Sequence, residues 1–369
     1  MKYLLRFKNF NLIASILSFL ILTPLIMVIF NFSYEFEEPR EKIAFIIPGD
    51  IKIPGWNESQ YRGIKIACEN FDVELIVRDK IRENSGECPA AIKNLAENGA
   101  GMIFLASYAY STEIQNLVEE YPGIAFASNS AEVHAKNMTA YFVRMYQARY
   151  LAGTLAGMKT KSNVIGYVAA MPNTEVNRGI NAFTLGVLRT NPRAKVVVMW
   201  TGSWQNEEIE KNNARRLIEE AGADVLTYHQ NEAATAQISE KFGVDFIAYN
   251  EILSGYSEHY LTSIICRWDL YYSDIIQRYL KGELNSVKNN WLEIERGAVT
   301  LSDYSPSVTK EMITQIDSLK QELIYNNLIF AGEIYDNQGK IRCEKDEAIS
   351  DDTLLENINW LVKGVEVLE

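Results

Sequence analysis

From Lys42 onward, short apolar runs rich in β-branched residues alternate with longer stretches of helical period, a pattern that restricts the chain to parallel βαβ units. The expected strands are Lys42 to Pro48, Val73 to Arg78, Gly101 to Ala106, Ile124 to Ser128, Thr139 to Arg144, Asn163 to Ala170, Lys195 to Thr201, Asp224 to Tyr228, Asp245 to Tyr249 and Leu261 to Trp268. Helical period fills the intervals Asn57 to Glu69, Pro89 to Asn98, Ser111 to Tyr121, Ala148 to Met158, Asn177 to Thr190, Glu207 to Ala221 and Ala233 to Lys241. So many strands exceed one small sheet. The polar stretch Lys159-Thr-Lys-Ser162 separates two similar series, so residues 42–161 are expected to form one lobe and 162–269 another. Beyond Trp268 the period is helical to Leu280, Trp291 to Leu301 reads as extended chain and Pro306 to Tyr325 as helix. In a two-lobed chain, residues of about 270–300 return to the first lobe and those of about 305–369 to the second. The expected fold class is α/β, with two doubly wound parallel-sheet lobes joined by a three-strand hinge.

The first 36 residues differ from the remainder. Lys2, Arg6 and Lys8 precede the apolar run Leu12 to Phe30, and the acidic Glu35, Glu37 and Glu38 follow it. That charge order keeps the N-terminus inside and puts the folded part outside the cytoplasm. A run of about 19 residues is long enough to span a bilayer, and no small-x-small cleavage site is evident, so an uncleaved anchor is expected ahead of a cleaved signal. No cysteine precedes Cys68, which excludes a lipid-modified cysteine at that point. The four cysteines, Cys68, Cys88, Cys266 and Cys343, are too scattered for a metal site. Buried free thiols are expected, with a Cys68–Cys88 disulfide as the alternative.

The net charge of −12 repels phosphate backbones, and no basic stripe interleaved with aromatics offsets it, so nucleic acid is excluded as a partner. Open parallel sheets bind ligands at the C-terminal ends of their strands. Residues just past each strand are therefore the candidates: Gly55-Trp56-Asn57, Ser107-Tyr108, Asn129, Tyr146, Asn173 to Arg178, Gly202 to Trp204, His229, Asn250 and Trp268-Asp269. Aromatic faces sandwich planar rings, and side-chain amides and carboxylates pair with ring nitrogens or hydroxyls. The ligand-binding set selected from these is Trp56, Asn57, Tyr108, Tyr146, Glu175, Asn177, Trp204, Asn250, Trp268 and Asp269. Tyr271, Tyr272 and Tyr279 lie at helical spacing and read as packing.

No enzyme is expected. The loop Pro48 to Gly55 has neither the dinucleotide nor the phosphate-loop glycine pattern, and no nucleophile elbow or Cys–His signature occurs. His134, His229 and His259 lack metal-ligand spacing, so no metal, cofactor or catalytic residue is assigned.

Several ordered motifs carry a family likeness. They are Arg144-Met-Tyr-Gln-Ala-Arg-Tyr-Leu-Ala-Gly-Thr-Leu-Ala-Gly157, Ile165-Gly-Tyr-Val168, Glu175-Val-Asn-Arg-Gly-Ile-Asn-Ala-Phe183 and Trp200-Thr-Gly-Ser-Trp204, continued by Gly222-Ala-Asp-Val225, Trp268-Asp-Leu-Tyr-Tyr272, Phe330 to Gly339 and Asn359 to Val365. Over residues 42–369 the chain resembles the basic membrane protein family of ABC-importer binding proteins. The resemblance implies a type I periplasmic-binding fold, a monomer outside the cytoplasm, importer membrane subunits as partners, and a purine nucleoside or base as ligand. It further implies that Trp56-Asn57 contacts the base, Trp204 stacks on it from the other lobe, and Asp269 holds the ribose or another polar part. Three positions depart from the family pattern. An aspartate usual before the aromatic-Asn pair is replaced within Ile51-Lys-Ile-Pro54, Glu295 stands where a lysine is usual, and the lipid-bearing cysteine is missing. A solute receptor serving an importer is the first functional expectation, and a ligand sensor of the same fold the second.

Overall fold

The computed structural model describes residues 40–129, 135–284, 289–326 and 328–369. The anchor run Leu12 to Phe30 and His134 lie outside them. Among the described residues no helix is long and apolar enough to cross a membrane.

The first series folds as β1 (Lys42–Ile46), α1 (Trp56–Asn70), β2 (Glu74–Arg78), α2 (Glu87–Glu97), β3 (Met102–Leu105), α3 (Tyr110–Glu113), β4 (Ala125–Asn129) and β5 (Met138–Val143). The second comprises α4 (Met145–Lys159), β6 (Val164–Ala169), α5 (Thr174–Thr190), β7 (Lys195–Trp200), α6 (Glu207–Glu219), β8 (Val225–His229), α7 (Ala234–Phe242), β9 (Asp245–Tyr249) and β10 (Tyr260–Cys266). After them come α8 (Trp268–Leu280), β11 (Asn289–Leu292), β12 (Val299–Leu301), α9 (Lys310–Asn326), the hairpin β13 (Ile334–Tyr335) and β14 (Ile341–Cys343), α10 (Asp351–Glu356) and β15 (Val365–Val367).

The strands make a six-stranded sheet in the order β11-β5-β4-β3-β1-β2 and a seven-stranded sheet in the order β12-β10-β9-β8-β6-β7-β15. Both lie in the unit Lys42–Glu369. Central strands such as β3 and β8 are buried at every residue, because helices cover both faces of a parallel sheet and leave no side for polar alternation. In each sheet the order reverses beside the first strand of its series, between β1 and β3 and between β6 and β8. Connections leave these switch points toward opposite faces and open a crevice beyond the strand ends.

All the expected strands form, with shifts at their ends. The run Ser111 to Tyr121 does not make one helix. After α3 the bonds Leu117 N to Ile114 O and Glu120 N to Leu117 O tighten to a three-residue spacing, while Tyr110, Ile114 and Val118 still point into the core. Trp291 to Leu301 is extended at both ends, with a 3-10 turn at Ile294–Arg296 between β11 and β12.

The first crossover lies at Arg144, ahead of the polar stretch Lys159 to Ser162. Helix α4 packs along α5, where a Cβ at Gly153 would sit 1.9 Å from Phe183 O and one at Gly186 2.0 Å from Tyr150 O. Residues 145–161 therefore belong to the second lobe. The polar stretch is instead a turn tied down by the Asp224 carboxylate, which accepts from Thr160 Oγ1 at 2.6 Å and the Lys161 and Ser162 amides at 2.7 and 2.8 Å. Beyond β10 the chain returns to lobe 1, since α8 packs on α1 and β11 pairs with β5. It crosses again to place β12 beside β10. Hydrogen bonds from Arg144 N to Leu292 O (2.7 Å) and from Arg267 N to Ala298 O (2.8 Å) join the crossing segments.

The C-terminal segment folds back over α5. Asn177 Nδ2 and Asn181 Nδ2 donate to Ile358 O and Trp360 O at 3.0 Å each, and Arg178 Nη1 donates to Leu354 O at 2.5 Å. All four cysteines are buried free thiols, so Cys68 and Cys88 are not paired.

Candidate functional site

A cavity of about 430 Å³ lies where the two switch points meet. From lobe 1 it is lined by Pro48-Gly49 after β1, Trp56 at the start of α1, Arg82-Glu83 after β2, Ser107-Tyr108 after β3 and Asn129 at the end of β4. Lobe 2 contributes Met171 and Glu175 after β6, Gly202 to Gln205 after β7, His229 to Asn231 after β8 and Tyr249 at the end of β9. The floor follows from the topology, because every one of these segments leaves the C-terminal end of a parallel strand.

Two tryptophans face the cavity from opposite lobes. Trp56 is propped edge-on by Trp268, with ring centroids 5.2 Å apart and planes at 82°, and Phe142 lies 6.4 Å behind it. Trp204 sits in the Gly202–Trp204 turn, T-shaped to His229 at 5.9 Å, and His229 in turn meets Tyr249 at 5.0 Å. Burial, with the nearby Arg149 and Arg178, holds the His229 imidazole well below its ordinary value. His229 is thus neutral at neutral pH, and its 3.8 Å approach to Glu175 is a polar contact rather than an ion pair. Its Nδ1 and the Oε1 of Gln230 are buried without a hydrogen-bond partner. Buried polar atoms are ordinarily satisfied, so Gln230 Oε1, on a cavity-lining residue, is a place where a ligand or water can supply the missing partner, whereas His229 Nδ1 lies beside Gly179, outside the lining. Lobe 1 presents Glu83, which accepts from Ser107 Oγ and, at 3.4 Å, from Ala109 N. Carboxylates thus stand on both lobes and suit a ligand rich in N–H or O–H donors.

Of the ten selected residues, Trp56, Tyr108, Glu175 and Trp204 line the cavity. The other six do not, each for a visible reason. Asn57 Oδ1 accepts from Gly49 N at 3.2 Å and so shapes the loop that does line it. Trp268 is 1% exposed behind Trp56. Tyr146 is packed between Trp291 and Phe330, its hydroxyl accepting from Arg144 Nη1 at 3.0 Å. Asn177 is committed to Ile358 O. Asn250 is buried beside Tyr249 in the left-handed region at φ 63°. Asp269 makes a two-pronged ion pair with Arg267, at 2.9 and 2.7 Å, which holds its carboxyl below the usual range. Glu295 is exposed on the hinge turn, away from the cavity lining.

Ser107, Asn129 and His229 stood among the strand-end candidates but not in the narrower set. Arg82-Glu83, Gln230-Asn231 and Tyr249 were outside both. The signal for them was the same strand-end position, beyond β2, β8 and β9.

A family model described as ABC transporter substrate-binding protein, PnrA-like, matches residues 40–338. The chain belongs to this family. Substrate-binding proteins of ABC importers work outside the cytoplasm and pass a small molecule to membrane subunits, so the chain is a substrate-binding component. A purine-binding protein of Brucella abortus is 28% identical over 337 residues, covering 89% of this chain and 94% of its own length. A putative ABC transporter glucose-binding protein of Haloferax volcanii is also 28% identical, over 326 residues, covering 88% and 80% respectively. Among solved structures, an ABC transporter solute-binding protein of Aeropyrum pernix superposes with a TM-score of 0.67 at 15% identity, covering 85% of this chain and 95% of its own. This last likeness establishes the type I periplasmic-binding-protein fold.

Proposed function

We propose that this family member binds a purine base or nucleoside between Trp56 and Trp204 and delivers it to its importer as a monomer. The observation that carries the reading is the pair of tryptophans lining one cavity from opposite lobes. Their faces suit a planar ring, while Glu83, Glu175 and the open Oε1 of Gln230 suit its N–H groups or ribose hydroxyls. The Brucella relative's purine is consistent with this. The Haloferax relative favours a second reading, because glucose also presents hydroxyls to carboxylates and flat faces to tryptophan.

Calorimetric titration of the purified full chain with adenosine, guanosine, hypoxanthine and glucose separates the two. Binding of at least one purine with glucose silent is the expected result, and glucose binding with the purines silent overturns the proposal. We also propose that Leu12 to Phe30 anchors the protein. Resistance of the full chain to carbonate extraction of membranes is expected, and quantitative release would oppose it.

A further inference from the structure

Trp56 is the first residue of α1, and its residue before, Gly55, caps the helix with no side-chain hydrogen bond. The leading N–H groups of a helix need acceptors from elsewhere. Here the Trp56 amide donates across the cleft to the main-chain oxygen of Asn231 at 3.3 Å. The Asn231 amide donates in turn to Trp204 O at 2.9 Å. One residue of lobe 2 thus holds the backbones of both cavity-lining tryptophans.

The approach depends on Gly55. Its φ of 130° is disfavoured for side chains, and a Cβ there would lie 1.8 Å from Asn231 O and 3.0 Å from its carbonyl carbon. Nothing but a hydrogen atom fits at that point while the lobes are together. The two indoles themselves are propped by other rings, Trp56 by Trp268 and Trp204 by His229, so each ring follows its own backbone.

We infer that the main chain of Asn231 is a positioning element for ligand binding: with Gly55 it forms a clasp that holds the lobes together and fixes the gap between Trp56 and Trp204. The inference rests on this cavity being the ligand site, but not on the ligand being a purine. The Asn231 side chain plays no part in the clasp, whereas any side chain at residue 55 holds the lobes apart. The clasp acts on the population of the closed form, so loss of that form reduces apparent affinity in proportion.

The test places spin labels at Lys65→Cys and Asn212→Cys, one on each lobe, in the full chain. The native cysteines are all buried, which leaves the new thiols to react. The parent protein is expected to show a short-distance population without ligand that grows on adding adenosine. Gly55→Ala should shift the distribution to longer distances and weaken adenosine binding by roughly tenfold, while Gly99→Ala, also at positive φ but with open space for its methyl group and away from the cavity, changes neither. If Gly55→Ala does not fold, Trp56→Pro, which removes the N–H donated to Asn231 O at a first helical position that tolerates proline, is expected to lengthen the distances in the same way. A short-distance population unchanged in the folded variant overturns the inference, as does its absence from the parent with and without adenosine. If adenosine fails to bind the parent but Gly55→Ala still opens it, the purine reading fails and the clasp stands.

Discussion

At the scale of single residues, the sequence made the aromatic walls legible and the polar contacts less so. Trp56 and Trp204 follow parallel strands, and that position alone directs a large ring toward the ligand edge. Truncating Trp204 to alanine should therefore weaken binding of a purine ligand by roughly 1–3 kcal/mol, the usual worth of base stacking, with little change in thermal stability. Calorimetry on the variant checks this, and unaltered affinity would remove Trp204 from the binding surface. The same strand-end rule also nominated Asp269, but Arg267 two residues earlier captures that carboxylate with paired N–H donors. Such local capture depends on backbone angles at the crossover, which no spacing in the sequence specifies. Asn57 and Asn177 illustrate the same limit, since each amide is spent on a main-chain partner, Asn57 on the nearby loop amide of Gly49 and Asn177 on the far-off Ile358.

At the scale of elements, burial periodicity located the strands because parallel strands are apolar on both faces. It also located α4 but not the lobe to which α4 belongs. That assignment rests on α4 and α5 approaching closely enough for backbone contact, which the glycines of the Leu-Ala-Gly-Thr-Leu-Ala-Gly157 run permit. A methyl group at Gly153 has no room beside Phe183 O, and a helix backbone cannot yield as a flexible side chain does. Gly153→Ala is accordingly expected to destabilise the second lobe by about 1–3 kcal/mol, typical of overpacking. The denaturant midpoint should fall, and a midpoint at or above that of the parent would show that the helices separate freely.

At the scale of the whole molecule, three crossings tie the lobes together, and Arg144 stands at the first of them. It pairs with Glu293 beside the third crossing at 3.1 Å and with Asp351 of the C-terminal segment at 2.5 Å, its guanidinium 4.2 Å above the Trp291 ring. The Arg144 motif was visible in the sequence, but its partners lie far along the chain and the crossings could not be placed without them. The lobes also meet where Gly55 and Trp56 approach Asn231. There Glu58 in the first turn of α1 stands across from Glu232 and Glu251 of lobe 2, and burial first, then Glu58 and Glu232, push the Glu251 carboxyl up to about 7. Glu58 is paired with Arg62 at 2.9 Å and Glu232 accepts from Gln205. The phenols of Tyr228, Tyr256 and Tyr260, which also sense Glu251, are pushed upward and stay neutral. Separating the lobes removes the Glu58 charge, which lowers the affinity of Glu251 for the proton toward the ordinary 4.5. A carboxyl that binds its proton more tightly in the closed form favours closure at low pH, and that contribution is lost as the pH rises through about 7. His229 is held well below its ordinary value and does not titrate in this window. Adenosine should therefore bind more weakly at pH 8 than at pH 6, and Glu251→Gln, neutral throughout, should bind equally well at both. Parent affinity that is level or rises between pH 6 and pH 8 would exclude Glu251 from the closing equilibrium.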